Sequence, residues 1–253
     1  MEDSQLALKF WDKFSLHLQR IIGWLTFPIW GGICILLLRL VGRYRIERIR
    51  EIRRRFKEIQ RVTRGPIIIC ANHITKIDSA LINWGLASVL SYMKSFRFFS
   101  WNLPERERYK NNPVLRLVCY LGSCIPVDRG GDRDGVQKAL DKLTYLLRKG
   151  HAITIFPEGK RSVDGKVDDE TFSYSVGRLL KSVRDCKILC VYLRGHKQNK
   201  SSGIPKIGDR IYFDMEVIEP ESDFSGLRET RDLAAQIIQQ LARMEQAYFA
   251  TSR

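Results

Sequence analysis

The 253-residue sequence contains only four histidines, and none of its six cysteines forms a Cys-x-x-Cys pair. It has no aromatic ribonucleoprotein motif, no zinc-finger spacing, no internal repeat and no low-complexity tract. Acidic residues are also scarce, with 28 Asp and Glu against 43 Lys and Arg. These absences argue against a zinc-stabilised fold, a disulfide-stabilised domain and the common nucleic-acid-binding folds. The cysteines are predicted to be reduced and mostly buried, as in a cytosolic domain.

Net charge and length set the broad class of the protein. The formal net charge of +15 implies a polyanionic partner, either nucleic acid or an anionic membrane surface. Since no nucleic-acid-binding signature accompanies the charge, the membrane is the favoured partner and no nucleic acid is expected. A chain of this length can bury one substantial core, with a short attachment at one end.

An apolar segment near the N-terminus predicts membrane attachment. Ile21–Leu38 is a run of 18 uncharged residues, at the lower limit for crossing a bilayer. Pro28, Gly31 and Gly32 interrupt it, so a kinked, re-entrant or shallow pair of helices fits the run as well as a straight span. Residues 1–20 have near-helical apolar spacing, which suits either an amphipathic interfacial helix or a helix packed on the domain.

A basic segment follows, with eleven Lys or Arg and three Glu between residues 39 and 64. Five apolar side chains recur there at steps of three and four and predict one helical face: Ile46, Ile49, Ile52, Phe56 and Ile59. Anionic lipid attracts such segments by about 1 kcal/mol per basic residue near the surface. The positive-inside rule then predicts that this segment and the domain after it are cytoplasmic. A solvated charged helix and a nucleic-acid-binding helix are the alternatives.

Beyond residue 64 the pattern predicts a single α/β domain with a mostly parallel central sheet flanked by helices. We therefore divide the chain into N-terminal membrane-associated helices with the basic segment, residues 1–64, and an α/β domain, residues 65–253. The predicted strands are Ile67–Ala71, Phe96–Ser100, Cys124–Val127, Ala152–Phe156, Ile188–Leu193 and Arg210–Val217. The predicted helices are Ser79–Tyr92, Asp134–Lys149, Phe172–Val183 and Leu227–Tyr248.

The stretch Asn72–Asp78 is the most informative one in the chain, because it places His73 and Asp78 five residues apart directly after an apolar run. Residues five apart do not share a helix face, so the two meet only if the chain folds back between the strand and the next helix. A neutral imidazole held by a carboxylate is a general base for a hydroxyl nucleophile. Taken alone, a surface histidine near an aspartate is the commoner situation.

Two further segments have the same layout of an apolar strand followed by charge: Phe156–Ser162 and Gly122–Arg129. Ligands of open α/β sheets bind beyond the carboxyl ends of the strands, so the three segments predict one shared site. A phosphate loop is excluded because Thr154 occupies the position of its first glycine, and the aspartates near residue 130 lack calcium-loop spacing. No metal and no cofactor are expected.

Together the three segments resemble the glycerolipid acyltransferase family, whose best-known members acylate lysophosphatidic acid. The family pattern is a histidine and an aspartate separated by four residues (HX4D), a Gly-to-Arg block, and then Phe-Pro-Glu-Gly-x-Arg-Ser. This chain matches the order and spacing between Gly65 and Gly195. It departs at Phe99–Pro104, where many members have a lysine, and at Leu189–Tyr192, where a proline is usual. Both departures could alter the acceptor pocket or the acyl groove.

The catalytic roles expected from the pair are the same as those that the resemblance implies. His73 is the predicted base, and Asp78 is predicted to fix its tautomer and stabilise the imidazolium. The resemblance implies direct attack on a thioester without an acyl-enzyme. Asn72 is expected to shape the turn through its side-chain amide. Backbone N–H groups near the start of the helix after His73 are candidates for part of the oxyanion hole.

The substrate-binding candidates come from the other two segments. Arg129, Lys160 and Arg161 are expected to bind a phosphorylated acceptor, since arginine matches phosphate oxygens in pairs. Glu158 is expected to position a hydroxyl or hold an arginine. Gly159 is expected to let the backbone approach the substrate closely.

The predicted function is a membrane-bound O-acyltransferase that acylates a lysophospholipid, with lysophosphatidic acid, converted to phosphatidic acid, as the expected acceptor. Its predicted partners are membrane lipids and an acyl donor, either an acyl carrier protein or a coenzyme A thioester. One alternative is transfer to another hydroxyl lipid, such as an amino-acid lipid or a glycolipid. Another is a non-catalytic basic protein that binds membranes or nucleic acid. The sequence leaves the donor, the acyl chain length and the oligomeric state open.

Overall fold

The structure is a computed structural model that describes residues 8–63, 65–127, 133–183 and 185–251. Within these ranges the helices are α1 Phe10–Leu36, α2 Ile49–Val62, α3 Asp78–Leu86, α4 Val89–Lys94, α5 Pro113–Leu121, α6 Arg133–Arg148, α7 Ser175–Ser182 and α8 Gly226–Thr251. The strands are β1 Arg45–Ile46, β2 Ile67–Ala71, β3 Ile153–Ile155, β4 Lys187–Gly195 and β5 Arg210–Ile218.

The five strands form one sheet in the order β1-β5-β4-β2-β3. Strand β2 pairs in parallel with both β3 and β4, and β1 pairs in parallel with β5. The pairing of β4 with β5 is antiparallel. The predicted α/β fold with a mostly parallel sheet is therefore confirmed.

Helices cover both faces of the sheet, which explains why β2 is a continuous apolar run instead of an alternating one. Ile67 and Ile69 pack in a core with α2 and α3, whereas Ile68 and Cys70 pack in a second core with α6, α7 and α8. This division follows the period of two along a strand. All six cysteines are free, but only Cys70 and Cys190 are buried and the other four are half-buried, so the predicted burial is wrong for most of them.

Helix α1 is continuous through Pro28 and ends in a π-helical turn, Leu37–Val41. The sequence also allowed a pair of helices in this segment, but the structure has one continuous helix there. By length and composition Phe10–Val41 can cross a membrane, with a mean hydropathy of 2.1 in its most apolar window. However, one face of the helix is buried against α4 and α5, with Gly23 close to the backbone of Leu121.

The opposite face of α1 is apolar and exposed. Trp11 is 72% exposed, Leu25 is 61% exposed and Ile29 is 71% exposed. Helix α5 adds the exposed side chains of Val114 and Val118. A soluble surface rarely carries so much apolar area, so this combination marks an interaction face.

The basic segment is built into the domain. Ile46 lies in β1 and pairs with Ile211, so its predicted place on a helix face is wrong. Ile52 and Phe56 of α2 are buried as predicted, and they share one core with β2. Residues on both sides of the predicted boundary at residue 64 therefore pack together.

Other predicted elements need correction. Phe96–Ser100 contains a short 3-10 turn instead of a strand, and only Trp101 bridges to β3. Cys124–Val127 makes two isolated bridges, through its first and last residues. The predicted helix Ser79–Tyr92 is divided into α3 and α4, while α5 and β1 were not predicted. The apolar residues of these segments do not repeat at a clear helical or strand period. Their contacts come from distant parts of the chain.

Candidate active site

His73 and Phe156 lie beyond the carboxyl ends of the neighbouring parallel strands β2 and β3. Their rings stack at a centroid distance of 4.1 Å and an interplanar angle of 20°. This contact brings together two of the three segments that the sequence placed at one site. The third segment, Gly122–Arg129, includes residues 128 and 129, which lie outside the described part of the chain.

His73 and Asp78 are in direct contact. Nδ1 of His73 is 2.9 Å from Oδ2 of Asp78, which is the first residue of α3. The chain turns back between β2 and α3, and this turn lets two residues five apart meet. Nε2 of His73 makes no hydrogen bond to the described residues, and 18% of the side chain is exposed. An imidazole held in this way can accept a proton at Nε2.

Asp78 is 2% exposed and is held by several donors besides His73. Its Oδ2 accepts the backbone N–H groups of Ile74 at 2.7 Å and Thr75 at 2.8 Å, and its Oδ1 accepts the hydroxyl of Thr75. The carboxylate is thereby fixed in place. The N–H groups of Ile74 and Thr75 are used by this network, and the oxyanion-hole donors expected near the start of α3 stay a prediction.

Glu158 contacts the backbone of the residue that carries the imidazole. Its Oε1 accepts the N–H of His73 at 2.9 Å. The carbonyl of His73 in turn accepts the N–H of Ser162 at 2.9 Å. Segment 156–162 therefore contacts His73 at three points: its backbone N–H, its backbone carbonyl and its ring, on which Phe156 stacks. In the described structure Glu158 holds a backbone group, not an arginine; its role toward the acceptor stays a prediction.

The environment of Glu158 changes its protonation. Burial raises the pKa of Glu158 to about 8, and the hydrogen bond from the His73 backbone opposes this only in part. Its second oxygen, Oε2, is buried without a hydrogen-bond partner among the described residues. The carboxyl group is therefore largely protonated near neutral pH.

The predicted acceptor-binding residues surround this corner. Gly159 adopts a left-handed backbone with φ of +69°, which favours glycine. Lys160 is 61% exposed, with Nζ 3.9 Å from Asp168. Arg161 donates from Nη1 to the carbonyl of Ser202 at 3.3 Å, and its buried Nε has no partner within the described chain. Two cationic side chains thus stand within three residues of Glu158, while Arg129 lies outside the described residues.

Asn72 has a different role from the one predicted. Its side-chain amide exchanges two hydrogen bonds with the backbone of Leu193, at 3.0 and 2.9 Å. It therefore joins the end of β2 to β4 and does not shape the turn. This lateral bond fixes the strand end from which His73 projects.

A family model described as Acyltransferase matches residues 52–194, more than half of the chain. The chain belongs to the acyltransferase family. This finding confirms the resemblance drawn from the three motif segments. In the described parts of this acyltransferase, no group of three or more His, Cys, Asp and Glu side chains is arranged to hold a metal ion.

Two curated relatives and one solved structure are similar to this acyltransferase. N-acylphosphatidylethanolamine synthase from Arabidopsis thaliana is 29% identical over 96 residues, which are 38% of this chain and 32% of that protein. Tafazzin from Drosophila melanogaster is 26% identical over 175 residues, 68% of this chain and 41% of that protein. The chain thus spans less than half of either relative. The 1-acyl-sn-glycerophosphate acyltransferase PlsC from Thermotoga maritima superposes with a TM-score of 0.44 at 17% identity, covering 92% of this chain and 97% of that one.

Sequence reasoning missed three contributors to the site of this acyltransferase. Thr75 binds Asp78, Phe156 stacks on the imidazole, and Ser202 lies in a loop that bridges to Thr75 and accepts Arg161. Thr75 was visible as a hydroxyl three residues before the aspartate. No sequence signal pointed to Ser202, which is 127 residues further along the chain than Thr75.

Proposed function

We propose that this protein is a membrane-associated O-acyltransferase that transfers a fatty acyl chain from an acyl thioester to the free hydroxyl of a lysophospholipid. Lysophosphatidic acid is the expected acceptor. The observation that carries the proposal is the 2.9 Å contact between His73 Nδ1 and Asp78 Oδ2 at the carboxyl end of β2. Family membership supports acyl transfer as the reaction class.

In the proposed reaction Nε2 of His73 takes the proton of the acceptor hydroxyl while that oxygen attacks the thioester carbonyl. Asp78 accepts the Nδ1–H, which selects the tautomer with a free lone pair on Nε2 and stabilises the imidazolium. The tetrahedral intermediate then expels the thiolate, which takes the proton from the imidazolium. One C–O bond forms and one C–S bond breaks, and the enzyme carries no acyl group at any stage.

The acceptor head group is proposed to lie against Lys160 and Arg161. Both are cationic and follow Glu158 directly, and Arg161 has a guanidinium nitrogen without a partner in the described chain. A protonated Glu158 also removes a negative charge that would repel a phosphate. Glu158 itself is proposed to be a positioning residue, because its Oε1 holds the backbone of His73.

Membrane association is proposed to use the exposed apolar face of α1 together with α5. Trp11, Leu25 and Ile29 supply the apolar side chains of α1, and Val114 and Val118 extend the face onto the next helix. Because the other side of α1 is buried against the domain, this geometry favours a helix lying in the interface over a straight span. The basic segment supports a cytoplasmic location of the domain.

A second candidate acceptor is the amine of phosphatidylethanolamine. The observation that favours it is the 29% identity over 96 residues with a plant protein named for making N-acylphosphatidylethanolamine. The same base would then deprotonate an ammonium or amine in place of a hydroxyl.

An acyl-transfer assay separates these functions. The purified chain in detergent is given acyl-coenzyme A or acyl-acyl carrier protein, with lysophosphatidic acid, a neutral hydroxyl lipid, a glycolipid, an amino-acid lipid or phosphatidylethanolamine. We expect the highest rate with lysophosphatidic acid, and a rate about 10²- to 10⁴-fold lower with His73→Ala. Preference for an acceptor without phosphate would contradict the leading proposal, and an N-acylated product would support the second candidate.

A further inference from the structure

A cavity of about 140 Å³ lies between α1, the last turns of α6 and the segment that enters β3. Leu16, Ile21 and Leu146 supply apolar walls, and Tyr145 lines the cavity beside them. One ordered water needs only about 10–15 Å³ by this kind of measure, so the cavity can hold a group larger than a single water.

Three buried polar nitrogens belong to residues that line this cavity and have no hydrogen-bond partner among the described residues. They are Nε of Arg20, Nε1 of Trp101 and Nδ1 of His151. The other nitrogens of Arg20 donate to Ser123 and to two backbone carbonyls, so the side chain is held firmly. Arginine and tryptophan N–H groups only donate, and a buried donor without an acceptor is costly.

The charges around the cavity all have one sign. Arg20 and Lys149 line it as cations, His17 and His151 add imidazoles, and none of the described residues that line it is acidic. Burial, together with the nearby charges of Arg20, His17 and Arg97, lowers the pKa of His151 to about 3. Such a field favours an anion over a neutral water as the partner of the three nitrogens.

The nearest acidic side chain on α1 is already engaged. Asp12 lies one turn before Leu16, and its Oδ1 is 3.0 Å from Nζ of Lys142 and 3.6 Å from Nζ of Lys138. It therefore neutralises α6 lysines outside the cavity lining. Its engagement leaves the positive potential of the cavity uncompensated.

The cavity is separate from the candidate active site. His151 comes before the first residue of β3, whereas Glu158 follows its last residue, so the two sites lie toward opposite ends of that strand. Among the described residues, Arg20 and Trp101 make no contact with His73 or Asp78. A ligand in the cavity would therefore bind independently of the acceptor.

We propose that this cavity binds a small oxyanion, a phosphate group, through Arg20, Trp101 and His151. The phosphate oxygens accept from Nε of Arg20, Nε1 of Trp101 and the Nδ1–H of His151. Lys149 supplies a further positive charge. The cavity borders the exposed apolar face of α1 through Ile21, so the phosphate comes either from a lipid head group or from solution.

The test uses the full chain in detergent, titrated with inorganic phosphate, while isotope-labelled histidine side chains are followed by NMR. With four histidines in the chain, His151 is assigned by its loss in His151→Gln. We expect a saturable shift of the His151 signal and a rise of its pKa, since a bound anion stabilises the imidazolium. Arg161→Gln should leave this response unchanged, because Arg161 belongs to the other site.

Trp101→Phe provides the decisive variant, because it removes the indole N–H and keeps an aromatic ring. We expect it to weaken phosphate binding roughly tenfold or more, as is usual when a hydrogen bond to a charged group is lost. Trp24→Phe is the matched control, since Trp24 lies on the same helix as Arg20 and donates to Met93 instead. Equal weakening by both variants would overturn the proposal.

The source of the phosphate is distinguished with nanodiscs. Inorganic phosphate should shift the His151 signal in either case. Phosphatidylcholine discs containing phosphatidic acid should reproduce the shift if the ligand is a lipid head group, and should leave the signal unchanged if the phosphate comes from solution. Either result supports the site. If neither probe moves the His151 signal, the cavity holds water only and the proposal is wrong.

Discussion

The backbone N–H of His73 donates to Oε1 of Glu158 at 2.9 Å, across 85 residues of sequence. This bond joins the two motif segments at the level of the backbone. The imidazole is thus held by Asp78 through its ring and by Glu158 through its main chain. The geometry of the site therefore depends on two buried carboxyl groups, those of Glu158 and Asp78.

Replacing His73 tests the base directly. We expect His73→Gln to lower the acyl-transfer rate about 10²- to 10⁴-fold, because the acceptor hydroxyl loses its proton acceptor. Circular dichroism should show an intact fold. His196→Gln is the matched control, since His196 is exposed and pairs with Glu47 at 3.1 Å instead of with His73 or Asp78. An unchanged rate in His73→Gln would favour the non-catalytic alternative.

Thr75 tests the network that holds Asp78. Thr75→Val keeps the side-chain shape but leaves Oδ1 of the buried aspartate without its hydroxyl donor. We expect a loss of about 1–3 kcal/mol in the free energy of unfolding and a lower kcat. Thr75→Ser retains the hydroxyl and should remain close to the native protein in both measurements. Equal effects of the two substitutions would contradict this role.

Glu158 should make stability depend on pH. Its pKa rises from 4.5 in the unfolded chain to about 8 in the folded one, so the folded state binds more protons between these values. Stability should therefore fall as the pH rises through this window. Glu158→Gln is neutral throughout and should be less sensitive, with a difference of a few kcal/mol between about pH 5 and about pH 9.

The comparison is made by urea unfolding of both proteins at each pH. Glu170→Gln, which removes an exposed carboxylate, is the matched control and should follow the native pH dependence. If Glu158→Gln also follows it, the carboxyl group is not protonated in the folded state.

Membrane binding should depend on the exposed face of α1. The double substitution Leu25→Ser with Ile29→Ser removes two exposed apolar side chains, each of which contributes about 1.5–3 kcal/mol when buried in lipid. We expect at least a tenfold loss of co-sedimentation with anionic vesicles and unchanged thermal unfolding. Leu227→Ser, at an 80% exposed position of α8, should bind as the native protein does. Equal loss in both would mean that the face is not specific.

Substitution is a sharper test here than truncation. Removing residues 1–40 would also remove Gln19, Arg20 and Phe27, which are buried against the domain. The truncated chain would then lose part of its core, and a change in sedimentation would have two causes.

Local patterns in the sequence predicted most of the fold. The apolar run of β2 and the helix predicted at Asp134–Lys149 are encoded by neighbouring residues, and the structure has them as Ile67–Ala71 and Arg133–Arg148. Prediction was wrong where partners are distant: Ile46 pairs with β5, and the predicted strand Phe96–Ser100 makes no strand pairing, since only the next residue, Trp101, bridges to β3.

The contacts of the candidate site also fall into two groups, those that the local sequence predicted and those that tertiary packing decided. From the sequence alone, His73 and Asp78 stand five residues apart after an apolar run, so that their contact requires a turn between strand and helix; the structure has that turn and the contact. Tertiary structure decided that Glu158 holds the His73 backbone, that Asn72 bonds Leu193, and that one face of α1 is buried. Those contacts depend on how separate elements pack, and no local period of the chain specifies which distant surfaces will meet.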